Sequence, residues 1–230
     1  MKNTNLKQQI RHVNEAQIQP IIKNDDFLRL NMYNYVRSEF RNEAKKLQPI
    51  GTGQMDFTNV YNMSTAWDYV LKNLHNQISI YEIRQINSII SENNDEMVIG
   101  GTFRHSMAMV LGSFAPNPEK IYNLLDDAIY RLTSGNNQIL TKAFNIHYDI
   151  ITIQPFSDFN KRTARIIMNW YLLQNNYTPV LFNHKDDKTD YINTLKARLN
   201  GDKKAYTTYM CDQMKKTQHA IIKMLQNKQR

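Results

Sequence analysis

Residues 154–165 read Gln-Pro-Phe-Ser-Asp-Phe-Asn-Lys-Arg-Thr-Ala-Arg, and their types and spacing suit the binding of a polyphosphate. Pro155 interrupts an apolar run, the stretch from Ser157 to Asn160 offers cap-forming side chains, and an apolar segment follows. The pattern predicts a short loop that turns into a helix at about Asn160. The first turn of a helix has N–H groups with no carbonyl partner within the helix, and the helix dipole adds roughly half a positive charge there. Such an end attracts anions. Lys161, Arg162 and Arg165 add full positive charges. The two arginines are three apart, so both can meet one polyphosphate from neighbouring faces of a turn. Asp158 is out of place among these cations unless it caps the helix or holds a metal, and Mg²⁺ bridging a carboxylate and phosphates would reconcile the charges. An ordinary helix start uses the same residues, with Asp158 as cap, the arginines in solvent and Phe156 anchored in the core. Local spacing leaves both readings open.

The rest of the chain must hold this loop in place. At 230 residues, with 41% hydrophobic and 22% charged side chains, it is long enough for one compact domain and is neither disordered nor fibrous in composition. Only 7 Gly and 6 Pro leave few turns, which favours helices. The sequence predicts a tail or docking helix over 1–24 and a single domain over 25–230. Helical spacing is expected over 27–47, then a loop through Pro49, Gly51 and Gly53, then a helix capped by Thr58. Further helices are expected over 81–90, 121–132, 139–150, from about 160, over 188–199 and over 203–226. The stretch 91–118 breaks this pattern and suggests a short hairpin.

Charge and cysteine content narrow the partners. Lys and Arg number 29 against 21 Asp and Glu, a net charge of +8, which admits nucleotides and nucleic acids as well as a plain solvated basic surface. The basic residues are scattered and no helix-turn-helix signature stands out, which disfavours nucleic acid. One cysteine, Cys211, makes no internal disulfide and excludes a structural zinc site of thiolates. No apolar run approaches the ~18 residues of a membrane span, and the first residues lack the apolar core of a signal peptide. A cytoplasmic protein is expected, and delivery to another cell as an effector by a signal-free route is compatible with that.

The loop resembles the H-x-F-x-(D/E)-G-N-G-R-x-x-R motif of the Fic/Doc family. Phe156, Asp158, Asn160, Arg162 and Arg165 stand in register with it, while Gln154 replaces the histidine and Phe159 and Lys161 replace the two glycines. The similarity extends to AFNIHYDIITIQPF before the motif, GGTFRHSMAMVLGSFAPNP, TNVYNMSTAWDYV and YINTLKARLNGD, about residues 58–210 in all. The resemblance implies an all-α fold, a Fic-like helical bundle with a small β-hairpin flap over the nucleotide. It implies a protein adenylyltransferase that moves AMP from ATP to a Ser, Thr or Tyr hydroxyl of a target protein. Asp158 would hold Mg²⁺, Asn160 and neighbouring amides, with Phe159 and Lys161 alongside, would cradle the nucleotide, and Arg162 and Arg165 would grip the β and γ phosphates. The flap, with Phe103, Arg104, Met107, Met109 and Leu111, would align a target segment by strand addition. An antitoxin-like regulatory partner and a homo-oligomer are further family expectations.

The departures bear on activity. A carboxamide has no proton-accepting site with a pKa near neutrality, so Gln154 cannot act as the general base, and loss of such a base costs about 10²–10⁴-fold in rate. An attenuated adenylyltransferase is expected. An inactive nucleotide-binding interaction module is the alternative, and Lys161, in Asn-Lys-Arg as in the Doc branch, adds a phosphate-transferring kinase as another. Phe159 either points outward or narrows the site. Three histidines are candidates for replacing the lost base. His147 reads as a packed helix residue, His105 lies in the expected flap and His184 in an expected loop. Many relatives carry an inhibitory helix with the pattern (S/T)-x-x-x-E-(G/N). Residues 35–47 match it poorly; Glu43 is the candidate there, against a reading as an ordinary helix ion pair.

Overall fold

Apolar spacing becomes eight α-helices and one short hairpin among the residues that the computed structural model describes, which are 26–46, 53–93, 99–134, 138–182 and 187–227. In chain order these are α1 (Asp26–Lys46), α2 (Gly53–Lys72), α3 (Ile80–Ser91), β1 (Met109–Val110), β2 (Ser113–Phe114), α4 (Ile121–Thr133), α5 (Ile139–Ile153), α6 (Asn160–Gln174), α7 (Asp187–Leu199) and α8 (Lys203–Asn227). The all-helical class with a small hairpin is therefore the observed one. The expected tail over 1–24 and His184 lie outside the described residues, as does the side chain of Glu43.

One boundary differs from expectation. The second helix begins at Gly53, so Thr58 lies inside it and is not its cap. Glycine and the polar residues after it carry only weak local preferences, which do not by themselves fix a helix boundary.

α3 shows how sequence becomes position. Ser79 opens it, its hydroxyl accepting from the Glu82 amide, and Ile83, Ile86 and Ile90 then fall on one buried stripe. Each such side chain contributes about 1.5–3 kcal/mol by leaving water. Asn87 sits on the same stripe and is 1% exposed, a polar group carried into the core. In α4 the buried set is Ile121, Leu125, Ala128 and Leu132.

α5 and α6 occupy the centre. α5 buries Ala143, Phe144, Ile146, His147, Ile150, Ile151 and Ile153. α6 buries residues on most of its circumference, among them Thr163, Ile166, Ile167 and Trp170. A helix that is apolar on most sides must be wrapped by others. Here α5, α3 and α2 pack on α6. Asn169 of α6 both donates to Val180 O (3.0 Å) and accepts from Val180 N (2.8 Å), which pins the chain around Val180 against the helix. The loop joining α5 to α6 is thus set between two extensively buried helices.

Candidate functional site

α5 ends because Gln154 adopts a left-handed backbone (φ 49°, ψ 62°) and Pro155 follows it. The Gln154 side chain is fastened on both sides. Its Nε2 donates to Ile151 O (2.8 Å) and its Oε1 accepts from Asn160 Nδ2 (3.0 Å). Asn160, 4% exposed, also uses Oδ1 to accept from Phe156 N (2.9 Å) and Nδ2 to donate to Phe156 O (2.8 Å). Its carboxamide closes the loop from within. Phe156 is buried, its ring 5.8 Å from that of Phe103, and the two residues form an isolated antiparallel bridge.

Phe159, at the position of the motif's first glycine, has φ 62° and ψ 11°. The left-handed turn is kept although the glycine is not, at a cost of about 1–2 kcal/mol for a residue with a side chain. The half-buried ring lies against Arg162, whose Cζ is 5.2 Å from its centroid. That contact offsets part of the cost. Asp158 is exposed, and its Oδ1 accepts from the Phe159 amide at 2.6 Å. It therefore orders the turn just before the helix. Among the described residues no three His, Cys, Asp or Glu side chains gather as a metal site. A lone exposed carboxylate suits Mg²⁺ that arrives with a nucleotide, since this ion keeps waters and takes one or two carboxylates plus substrate phosphates.

Lys161 is exposed, whereas Arg162 and Arg165 are half-buried. The Arg165 guanidinium lies over the Phe182 ring at 4.3 Å and the Tyr191 ring at 5.2 Å. Both arginines of the first turns of α6 are thus held on aromatic faces. His147 is fully buried between Tyr206 (Nδ1 to Oη 2.7 Å) and Tyr191 (Nε2 to Oη 3.1 Å). Burial, and then the charges of Arg165 and Arg198, hold its pKa well below the usual imidazole range. His147 is a packed helix residue, while His105 is exposed beside the hairpin.

The hairpin pairs Met109 with Phe114 and Val110 with Ser113, across a turn in which Leu111 (φ 55°) and Gly112 (φ 90°) are both left-handed. Met107, Met109 and Phe114 are exposed and Leu111 is half-buried. Arg104 lies beneath the hairpin instead of on its surface, 3% exposed. Its guanidinium donates to the carbonyls of Gln154 (2.6 Å), Ser106 (2.7 Å) and Pro116 (2.6 Å), and its amide donates to Pro155 O (2.9 Å). Hairpin and loop are therefore one unit.

Sequence reasoning missed the residue that ties this unit to α3. Asn87 accepts from Gly101 N (2.9 Å) and donates to Asp158 O (3.1 Å) and Thr163 Oγ1 (3.2 Å), touching the base of the hairpin, the loop and α6. Its signal was present, an amide on a stripe of isoleucines. Gly101 has φ 72°, and a Cβ there would stand 2.7 Å from Arg84 O, so the hairpin base approaches α3 as only glycine allows.

A model of the Fic/DOC family matches residues 77–172, the span from α3 to α6 that contains every contact of the loop described above except those to Phe182 and the later helices. The protein adenylyltransferase Fic of Drosophila melanogaster is 28% identical over 163 residues, which is 69% of this chain and 33% of that protein. Its counterpart in Drosophila grimshawi has the same identity and coverage. The chain thus spans about a third of the length of the curated relatives it matches. Among solved structures, Fic-1 (residues 134–508) from C. elegans superposes with a TM-score of 0.70 at 18% identity, covering 98% of this chain and 71% of that one. A Fic-domain signaling protein from Bacteroides thetaiotaomicron gives 0.67 at 18% identity, covering 96% and 95%. IbpAFic2 tethered covalently to Cdc42 gives 0.59 at 13%, covering 94% and 69%. These superpositions establish a shared fold. The loop, the hairpin and their supporting helices thus form the part of the chain that matches the Fic/DOC family, on a fold shared with Fic proteins.

Proposed function

We propose that this chain binds ATP with Mg²⁺ at the start of α6 and transfers AMP to a Ser, Thr or Tyr hydroxyl of a target protein, slowly because Gln154 stands in the place of the motif's histidine. The observation that carries the reading is the pair of half-buried guanidinium groups on the first turns of a central helix, where the helix end itself favours anions. In the transfer, a target oxygen forms a bond to the α-phosphorus and the bond to the bridging oxygen breaks, so that pyrophosphate leaves. Arg162 and Arg165 would hold the β and γ phosphates and neutralise that leaving group, a role that survives loss of the base. Asp158 would hold the Mg²⁺, which supplies further charge neutralisation when bound. The hydroxyl proton would pass to water, since the Gln154 carboxamide has no basic site and is already engaged with Ile151 and Asn160.

Support for a protein substrate comes from the hairpin, whose exposed Met107, Met109 and Phe114 offer an apolar edge beside the loop for an extended segment. One structural neighbour is itself tethered to Cdc42. The fastened Gln154 side chain also favours a second reading, a nucleotide-binding interaction module without turnover.

The test is incubation of wild type and Gln154→His with cell lysate and Mg²⁺, using ATP labelled at the α or the γ phosphate. Slow α-label incorporation by wild type, enhanced in Gln154→His, is the expected result. Label from the γ phosphate alone would select a Doc-like kinase. No label with wild type but strong α label with Gln154→His would select the binding module.

A further inference from the structure

The contacts behind Arg165 form a chain with a definite direction. Tyr206 Oη donates its single proton to Phe144 O (3.1 Å), so in its 2.7 Å contact with His147 Nδ1 it must accept. Nδ1 therefore carries the imidazole proton. Nε2 is then the acceptor, and Tyr191 Oη donates to it at 3.1 Å. The neutral imidazole this requires is the form that burial and the adjacent guanidinium groups favour. The three side chains come from three helices, His147 on α5, Tyr191 on α7 and Tyr206 on α8, and all are nearly or fully buried.

The far end of this chain is the ring of Tyr191, which lies 5.0 Å from the Phe182 ring at an interplanar angle of 54°. The two rings make a corner, and the Arg165 guanidinium sits against both. Rings on two sides fix the plane of the guanidinium, in which its five N–H donors lie. Phe182 is fixed independently, because Asn169 of α6 clamps Val180 two residues earlier.

We infer that Phe182 and Tyr191, the latter fixed through His147 and Tyr206, are positioning residues that hold the Arg165 guanidinium edge-on towards the terminal phosphates of the nucleotide. They lie outside the 154–165 loop and beyond residue 172, and act on the ligand only through Arg165. This inference rests on the nucleotide reading above. Its specific consequence is discrimination by phosphate number. Disturbing the corner weakens ATP binding more than AMP binding, because AMP lacks the phosphates that Arg165 would meet. General loss of packing would weaken both alike.

Wild type, Tyr191→Leu, Phe182→Leu and Tyr191→Phe are titrated calorimetrically with Mg·ATP and with AMP, and the Arg165 Nε–Hε resonance is followed by NMR, assigned by its loss in Arg165→Lys. Each leucine variant is expected to lower the AMP-to-ATP ratio of Kd values by about 3- to 10-fold and to move the Arg165 resonance out of its ring-shifted position. Tyr191→Phe keeps the ring and loses the hydroxyl anchor, and about a twofold fall is expected. An unchanged ratio and an unmoved resonance in folded leucine variants would overturn the inference. Should thermal melts show both leucine variants unfolded, Tyr191→Phe decides, and no change in either readout overturns it. If wild type binds neither nucleotide, the nucleotide reading fails. The resonance then still reports whether the corner positions Arg165, and no shift on leucine substitution overturns that part.

Discussion

Gln154 and Arg165 bound the same loop and first helical turns, yet they are held by opposite means. Gln154 is fastened by hydrogen bonds through both ends of its carboxamide, to Ile151 and Asn160. Arg165 is held by ring faces. A side chain fixed through its donors and acceptors gives shape to the backbone around it. One set between ring faces has the plane of its guanidinium oriented by them. On the proposed reading the two ends part company, since the arginine end would recognise phosphate while the Gln154 carboxamide offers no basic site for proton transfer. Binding and turnover should therefore respond to different substitutions.

The largest expected effect tests the glutamine end. Gln154→His should raise the AMP-transfer rate by about 10²–10⁴-fold while changing the ATP Kd less than about threefold, measured by initial rates and calorimetry on the same preparations. A comparable change in Kd and rate would show that the residue acts on binding after all, and would erase the contrast.

Next in size is loss of the buried amides that join the two ends. Asn160→Ala leaves Phe156 N and Gln154 Oε1 without their partner, and Asn87→Ala does the same to Gly101 N. Each should lower unfolding free energy by roughly 1–3 kcal/mol in denaturant melts. If both are silent in stability but alter binding, the loop is shaped by its ligand and not by these contacts.

How much of this was readable beforehand follows from what kind of interaction sets each feature. The helices at Ile121, Ile139 and Asn160 were legible because apolar spacing and the Pro155 break are local properties of the chain. The early start at Gly53 was not, because nothing local says where a weakly patterned helix begins. The positions of Arg162 and Arg165 at the head of α6 could be read from the motif. Their ring partners Phe182 and Tyr191 could not, since they come from segments that sequence spacing does not join. Arg104 looked like part of an exposed flap and proved to be its buried post, a difference set by four carbonyls, those of Ser106, Pro116, Ile153 and Gln154, converging on its guanidinium. Asn87 was visible as a polar residue on an apolar stripe, but its three partners required the fold.

A smaller effect concerns the support behind the arginine end. The folded pKa of His147 lies below its unfolded value near 6.5, so the unfolded chain binds more protons and stability falls as pH drops below about 6.5. The slope from this one group is at most about 1.4 kcal/mol per pH unit. His147→Gln should remove that part of the slope in melts run between pH 7 and 5, and an unchanged slope would mean the imidazole is not buried neutral. The smallest effect is expected for Phe159→Gly. Relief of the left-handed strain opposes both the added freedom of the unfolded chain and the lost contact with Arg162, so stability should move by less than about 1 kcal/mol.

The most direct measurement is calorimetric titration of Mg·ATP into wild type and into Arg162→Ala at two salt concentrations. The account predicts saturable binding by wild type that weakens about tenfold or more in Arg162→Ala and becomes less salt-dependent, with the melting temperature of the variant little changed. Equal affinity for both proteins, with the same salt dependence, would contradict it.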